Sequence, residues 1–166
     1  GPNNLPNIEP VNIHEVLEHV RELVRVEAGE GLRIKHDYDP SLPDLQADRD
    51  LLLQSILNIV RNAAQALGNE GRITLRTRVR RNFNIGSVKH RLVARIEVID
   101  NGPGINEELR KHIFYPMITG RSDGSGLGLS IAQALISRHQ GLIECNSQPG
   151  KTVFTILLPL DGKHEP

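Results

Sequence analysis

The chain has 166 residues, 20 Lys+Arg against 20 Asp+Glu for a formal net charge of zero, and a single cysteine. Neutrality argues against a broad nucleic-acid footprint, and the lack of any run of about 18 apolar residues argues against a membrane helix, so neither partner is expected. One cysteine excludes an internal disulfide and suits a reducing, cytoplasmic setting.

The length suits one domain with a substantial core. Gly1-Pro2 resembles a protease-cleavage scar, and no signal-peptide pattern opens the chain. Residues 1–10 are expected to be scar and linker, 11–160 the domain, and 161–166 a frayed tail. From Asn12 to about Ala28, Val16, Leu17, Val20, Leu23 and Val24 recur at helical spacing. Asn12 with Glu15 suggests a capping box, and Gly29 and Gly31 end the run. Leu32 to Tyr38 alternates as a strand, and Asp39-Pro40-Ser41-Leu42-Pro43 is a turn. A second helix starts near Asp48, turns Leu52, Ile56, Ile59, Val60 and Ala63 inward, and ends at Gly68. Arg72 to Arg80 and Leu92 to Ile99 alternate as a hairpin pair, with Asn82 to Lys89 as the polar loop between them. Ser125 to His139 is a third helix, and Leu142 to Asn146 with Val153 to Leu158 close the chain as strands turning at Pro149-Gly150. This order is not strict βαβ repetition. It predicts an α+β, two-layer sandwich: a mixed sheet with helices on one face.

Two glycine-rich boxes carry the chemistry. Asp100-Asn101-Gly102-Pro103-Gly104-Ile105 is followed some twenty residues later by Gly124-Ser125-Gly126-Leu127-Gly128-Leu129, which opens into a helix. Glycines let backbone approach phosphate oxygens, and the free N–H groups of a first helical turn face the anion. Leu127 and Leu129 can anchor that helix to the core. Asp100 ends an apolar strand, where a buried carboxylate needs a donor such as the exocyclic amine of adenine. Guanine presents a carbonyl at that edge and would be rejected. An ordinary Asx turn is the alternative for Asp100, with Gly102 and Gly104 bending the chain. Asn58 and Asn62 lie one turn apart on the second helix, where amide oxygens can hold Mg²⁺ or its waters against a triphosphate; plain surface asparagines are the alternative. Between the boxes, Phe114 and Tyr115 suit either a nucleotide contact or core packing. Thr119 to Asp123 forms a short polar lid. Arg121 and Arg61 are candidate phosphate cations, or solvated surface arginines.

Together these boxes resemble the ATP-binding catalytic domain of bacterial sensor histidine kinases, within the gyrase, Hsp90, histidine kinase and MutL superfamily, over roughly Asn12 to Leu160. Asn58 to Ala66 is similar to its asparagine box, Phe114 to Pro116 to its phenylalanine box, and the two glycine boxes to Asp100–Ile105 and Gly124–Leu129. The resemblance implies a Bergerat-type fold and Mg-ATP as ligand. It makes Asn62 the magnesium residue, Asp100 the adenine contact and Thr152 a water-mediated support of the adenine pocket, with Asn58 and Arg61 beside Asn62 in the catalytic group. His36 to Pro43, Asn58 to Ala63 and Phe114 to Met117 resemble the nitrogen-regulation branch in particular. That implies three partners: a dimerisation domain bearing the phosphoacceptor histidine, an NtrC-like response regulator, and the PII signal protein. It also implies a monomer for this stretch and a homodimer for the full-length protein.

Two departures matter. His14-Glu15 is followed by Val16-Leu17-Glu18, so no His-Glu-x-x-Asn-Pro phosphoacceptor motif is present, and the histidines are expected mostly at the surface. Superfamily ATPases carry a glutamate four residues before the magnesium asparagine as the base for water; here that position is Asn58, and an amide takes no proton from water. Phosphoryl transfer to a histidine is therefore expected over rapid hydrolysis. A nucleotide-dependent PII-binding module and a superfamily ATPase are the alternatives.

Overall fold

The computed structural model describes residues 5–114 and 129–161. Asn12 caps α1 (Ile13–Ala28), its side chain accepting from the His14 N–H at 2.9 Å. The expected capping box is thus a single cap, because the Asn12 oxygen takes the second helical N–H and not that of Glu15. Gly29, at φ 85°, ends the helix, donating its N–H to the Arg25 carbonyl. α1 buries Ile13, Val16, Leu17, Val20 and Val24 along one stripe. Asp48 caps α2 (Arg49–Ala66) through the Leu51 N–H, and Leu52, Ile56, Ile59, Val60 and Ala63 are all buried, as their spacing predicts.

The sheet runs β2 (Leu32–Asp37), β4 (Gly71–Ile85), β5 (Val88–Asp100), β7 (Lys151–Pro159), β6 (Leu142–Gln148). β2 and β4 are parallel, joined through α2; the other neighbours are antiparallel. Two three-residue strands, β1 (Glu9–Val11) and β3 (Leu45–Ala47), pair separately, and α3 (Glu107–Arg110) is a single turn; periodicity had no room to reveal any of them. α4 spans Ser130–Ser137, with Arg138 as its cap. The start of the predicted third helix, Ser125 to Gly128, lies outside the described residues. Helices and sheet share one core containing Leu17, Leu52, Ile56, Leu75, Ile96 and Phe154.

The hairpin differs from expectation. Asn82 to Lys89 is not a loop: pairing continues through Phe83↔His90 to Ile85↔Val88, and Gly86-Ser87 makes the turn, with Gly86 at φ 60°. Ile85 anchors this extension against Val93 and Leu157. Among the described histidines His19, His36 and His112 are exposed, as expected, and His14 is half-buried; two are exceptions. His90 and His139 are buried. His139 accepts the Asp48 N–H at Nε2, so its Nδ1 carries the proton given to the Leu135 carbonyl. That one ring ties the end of α4 to the start of α2. His90 Nδ1 lies 3.0 Å from Asp161 Oδ1, and the Arg91 N–H donates to Asp161 Oδ2. Leu160 N–H donates to the Leu92 carbonyl, so the chain is held through Asp161.

Candidate nucleotide site

The end of β5 sets the site. Register places Asp100 opposite Ile73 on β4 and Thr152 on β7. Asn101 then locks the exit of the strand: its N–H donates to the Arg72 carbonyl and its Oδ1 accepts the Arg72 N–H at 2.9 Å. The chain turns under Asp100, whose Oδ1 accepts the Gly102 N–H at 2.9 Å. A Cβ at Gly102 would stand 3.0 Å from that same oxygen, so a larger residue would press on the carboxylate. Gly102 O accepts the Gly150 N–H, and Ile105 N–H donates to Ser147 Oγ at 2.7 Å. Ser147 Oγ is also 2.7 Å from Thr152 Oγ1. The first glycine box is thereby stitched to the turn between β6 and β7.

Asn62, Ala63 and Ala66 of α2, Asp100, the loop residues Pro103, Gly104 and Ile105, and Thr152 and Phe154 of β7 line one cleft. Asp100 and Asn62 are only 6% and 7% exposed, and Thr152 2%. Burial pushes the Asp100 carboxyl above its ordinary range, and the Gly102 N–H opposes this only in part. Among the described residues its second oxygen has no donor. A buried acceptor half-satisfied and set in a cleft is costly unless a ligand donates to it. The residues fit an adenine nucleotide: an acceptor for an exocyclic amine, with Ala63, Ile105 and Phe154 as apolar walls for a flat ring. No side-chain hydrogen bond among the described residues ties up Asn62. For Mg²⁺ the chain offers the Asn62 amide oxygen, and among the described residues no cluster of three His, Cys, Asp or Glu holds a metal. That donor set suits a magnesium ion taking its other ligands from phosphate and water.

Other predicted residues fall differently. Asn58 is half-buried one turn before Asn62 and does not line the cleft. Arg61 is drawn to the opposite flank of α2, where Glu27 of α1 pairs with it at 2.6 Å, so it does not enter the cleft. Leu129 is fully buried; its N–H donates to the Ile113 carbonyl at 2.7 Å, which makes it a core anchor ahead of α4. Tyr115, Thr119, Arg121, Gly124, Ser125, Gly126, Leu127 and Gly128 lie outside the described residues. Ser147 was missed. A serine on an edge strand has no sequence signal of its own; only the register that puts it beside Thr152 gives it a role. Ser147→Ala should strip Ile105 N–H of its acceptor and Thr152 of its partner. ATP affinity is expected to fall about five- to tenfold with the fold intact, from the roughly 1 kcal/mol that one such bond contributes. Calorimetric titration alongside a thermal melt would check this, and unchanged affinity would remove Ser147 from the site.

Residues 47–162 match the model of the histidine kinase-, DNA gyrase B- and HSP90-like ATPase family. The chain is 49% identical over 162 residues to the sensory histidine kinase/phosphatase NtrB of Vibrio alginolyticus, covering 96% of this chain and 46% of that protein. It is 53% identical over 150 residues to NtrB of Klebsiella oxytoca, covering 90% and 43% respectively. The chain thus spans less than half the length of these relatives. Among solved structures, the catalytic domain of histidine kinase ThkA superposes with a TM-score of 0.74 at 27% identity, over 93% of this chain and 96% of that one. Full-length ShkA in complex with AMPPNP superposes at 0.75 and 28% identity, over 98% and 33%. ThkA in complex with the response regulator TrrA superposes at 0.70 and 26%, over 92% and 42%. The chain belongs to the histidine kinase-, DNA gyrase B- and HSP90-like ATPase family, and within it to the histidine kinase catalytic domains of the NtrB type.

Proposed function

We propose that this domain binds Mg-ATP in the α2–β5–β7 cleft and presents the γ-phosphoryl group to a histidine on a separate dimerisation domain. The phosphoryl group then passes to an NtrC-like response regulator. The observation that carries this reading is the buried, half-satisfied carboxylate of Asp100, facing a cleft that Asn62 also lines. Asp100 accepts from the adenine amine, Thr152 supports the base through water, and the turn at Gly102 and Gly104 makes room for the ring. Asn62 lends its amide oxygen to the metal, and the second glycine box cradles the phosphates. The bound Mg-ATP supplies the transferable group and neutralises its charge; the chain's task is positioning. Asn58 holds no proton-accepting group where a hydrolase needs one for water, whereas a histidine nucleophile brings its own lone pair. The NtrB name of the relatives supports a nitrogen-regulatory, cytoplasmic role, with PII as the regulatory partner and the Asn82 to Lys89 end of the hairpin as a contact. No described helix is long and apolar enough to cross a membrane.

The test is phosphotransfer from γ-labelled Mg-ATP, with the chain alone and with a separately supplied NtrB dimerisation domain. Acid-labile label on the added domain, with little free phosphate from the chain alone, is the expected result. Label released as free phosphate by the chain alone would replace the kinase reading with an ATPase.

A further inference from the structure

The helices cover one face of the five-stranded sheet. On the other face, strand alternation gathers positive charge that the chain's overall neutrality conceals. β4 contributes Arg72, Arg76, Arg78 and Arg80 at every second position but one, and register lays Arg33 and Lys35 of β2 beside them. Asp37 is shared by Arg76 and Arg78, at 3.1 and 3.0 Å. Arg33, Lys35, Arg72 and Arg80 are exposed, and none has an ion-pair partner among the described residues. Like charges also stand directly opposite each other, Arg33 against Arg72 and Arg78 against Arg95. Such pairs cost stability. Arg95 has one nitrogen 3.6 Å from Glu97, yet its Nε is buried with no acceptor among the described residues. A face that keeps repulsive pairs and an unsatisfied guanidinium N–H is locally in conflict with folding, as binding sites often are.

We propose that this open sheet face docks an acidic helix of a partner protein. Charge complementarity selects the sign of the partner. Dimensions favour a helix: Arg72 to Arg80 runs about 26 Å along the strand, the length of a helix of about 18 residues. Carboxylates three or four apart on a helix are about 5–6 Å apart, close to the two-residue step of arginines along β4. Between the cations, half-buried Thr74, Ile99 and Val153 offer apolar footing to a polypeptide. The aromatic packed on this face is Phe83, against Val93 and Leu157 beyond Arg80; one ring at the end of the stripe gives no row on which successive bases would stack, which disfavours single-stranded nucleic acid.

The experiment uses a labelled 18-residue helical peptide with glutamates at i, i+4 along one face, titrated by fluorescence anisotropy with this chain. A single-stranded oligonucleotide and phosphatidylserine vesicles serve as competing polyanions. The variants are Arg33→Glu with Arg80→Glu on the face, and Arg138→Glu at the end of α4 as a control. Peptide binding should weaken with salt and fall at least tenfold in the face variant, and Arg138→Glu should match the parent chain. Arg33→Glu also places a carboxylate opposite Arg72, so the face variant should melt no lower than the parent. Absent peptide binding, equal loss in the control variant, or tighter binding of the oligonucleotide or the vesicles would each overturn the proposal.

Discussion

Asp100→Asn is expected to lower ATP affinity by about 10- to 150-fold, the roughly 1.5–3 kcal/mol that a hydrogen bond to a charged acceptor contributes. The carboxylate has two acceptor oxygens, one held by the Gly102 N–H and one left for the adenine amine. An amide has one oxygen and one NH₂. Turned either way, it sets a donor against a donor, at Gly102 or at the base. The fold should not suffer, because the substitution removes a desolvated charge; a nucleotide-free melting temperature equal to or above the parent's would separate recognition from folding. The pH dependence has a definite sign. Burial raises the folded-state value above the ordinary 3.8, so this group's contribution to stability is full below 3.8 and is lost as pH rises through the raised value. ATP affinity should climb over the same window, since only the ionised group offers one oxygen to the Gly102 N–H and the other to the amine, whereas the protonated carboxyl sets its O–H against one of these donors. Asp100→Asn should flatten both trends. Calorimetric titration across that range checks both, and an ATP affinity unaltered in the variant would end the assignment of Asp100 to adenine.

Gly104→Ala should do more damage by a different route. Gly104 sits at φ 91°, and a Cβ there would meet the Gln148 carbonyl oxygen at 2.9 Å and its carbon at 3.0 Å. These are backbone atoms of the turn between β6 and β7, so no side chain can swing aside. The positive φ alone costs roughly 1–2 kcal/mol for a residue with a Cβ. The clash must also push the loop off the turn, which strains the Ile105 to Ser147 bond and the cleft wall at Ile105. A loss of about 2–4 kcal/mol in stability, with ATP binding reduced beyond tenfold, is expected from denaturant melts and titration. A variant that melts and binds like the parent would mean the loop has slack that its contacts do not suggest.

The parts of the fold visible in the sequence are those with local causes. α1 and α2 announce themselves through apolar stripes and through Asn12 and Asp48 as caps; the α2 stripe is buried as spaced, and so is that of α1 except Leu23, which is half-buried while Ile13 joins the core. β1 and β3 have three residues each and pair across more than thirty positions, so nothing local marks them. The hairpin extension was hidden by Arg80, Arg81 and Asn82, whose polarity imitates a loop; the Gly86-Ser87 turn between Ile85 and Val88 was the signal that would have found it. In the site, Asn62, Asp100, Gly104, Ile105 and Thr152 meet as their motifs suggest. Arg61 does not, because Glu27 competes for it from another helix, a contact no spacing along α2 encodes.

The β4–β5 ladder also sets an order of events. Its pairs, from Ile85↔Val88 outward to Ile73↔Asp100, form from residues close in the chain, whereas Asn62 arrives from an earlier helix and Thr152 from a strand some fifty residues on. Contacts of short sequence separation close first. Asp100 lies at the open end of this hairpin, farthest from its turn, so nucleotide competence is completed by the last segments to join and is first lost when they part. Amide exchange should accordingly be slowest near Thr77 and Ile96 and fast at Gly102 and Ile105, with ATP slowing the second pair and leaving the first untouched. The bound nucleotide would then act as a clamp on the seam between early and late parts of the fold, and the domain's stability would record how much of it is loaded.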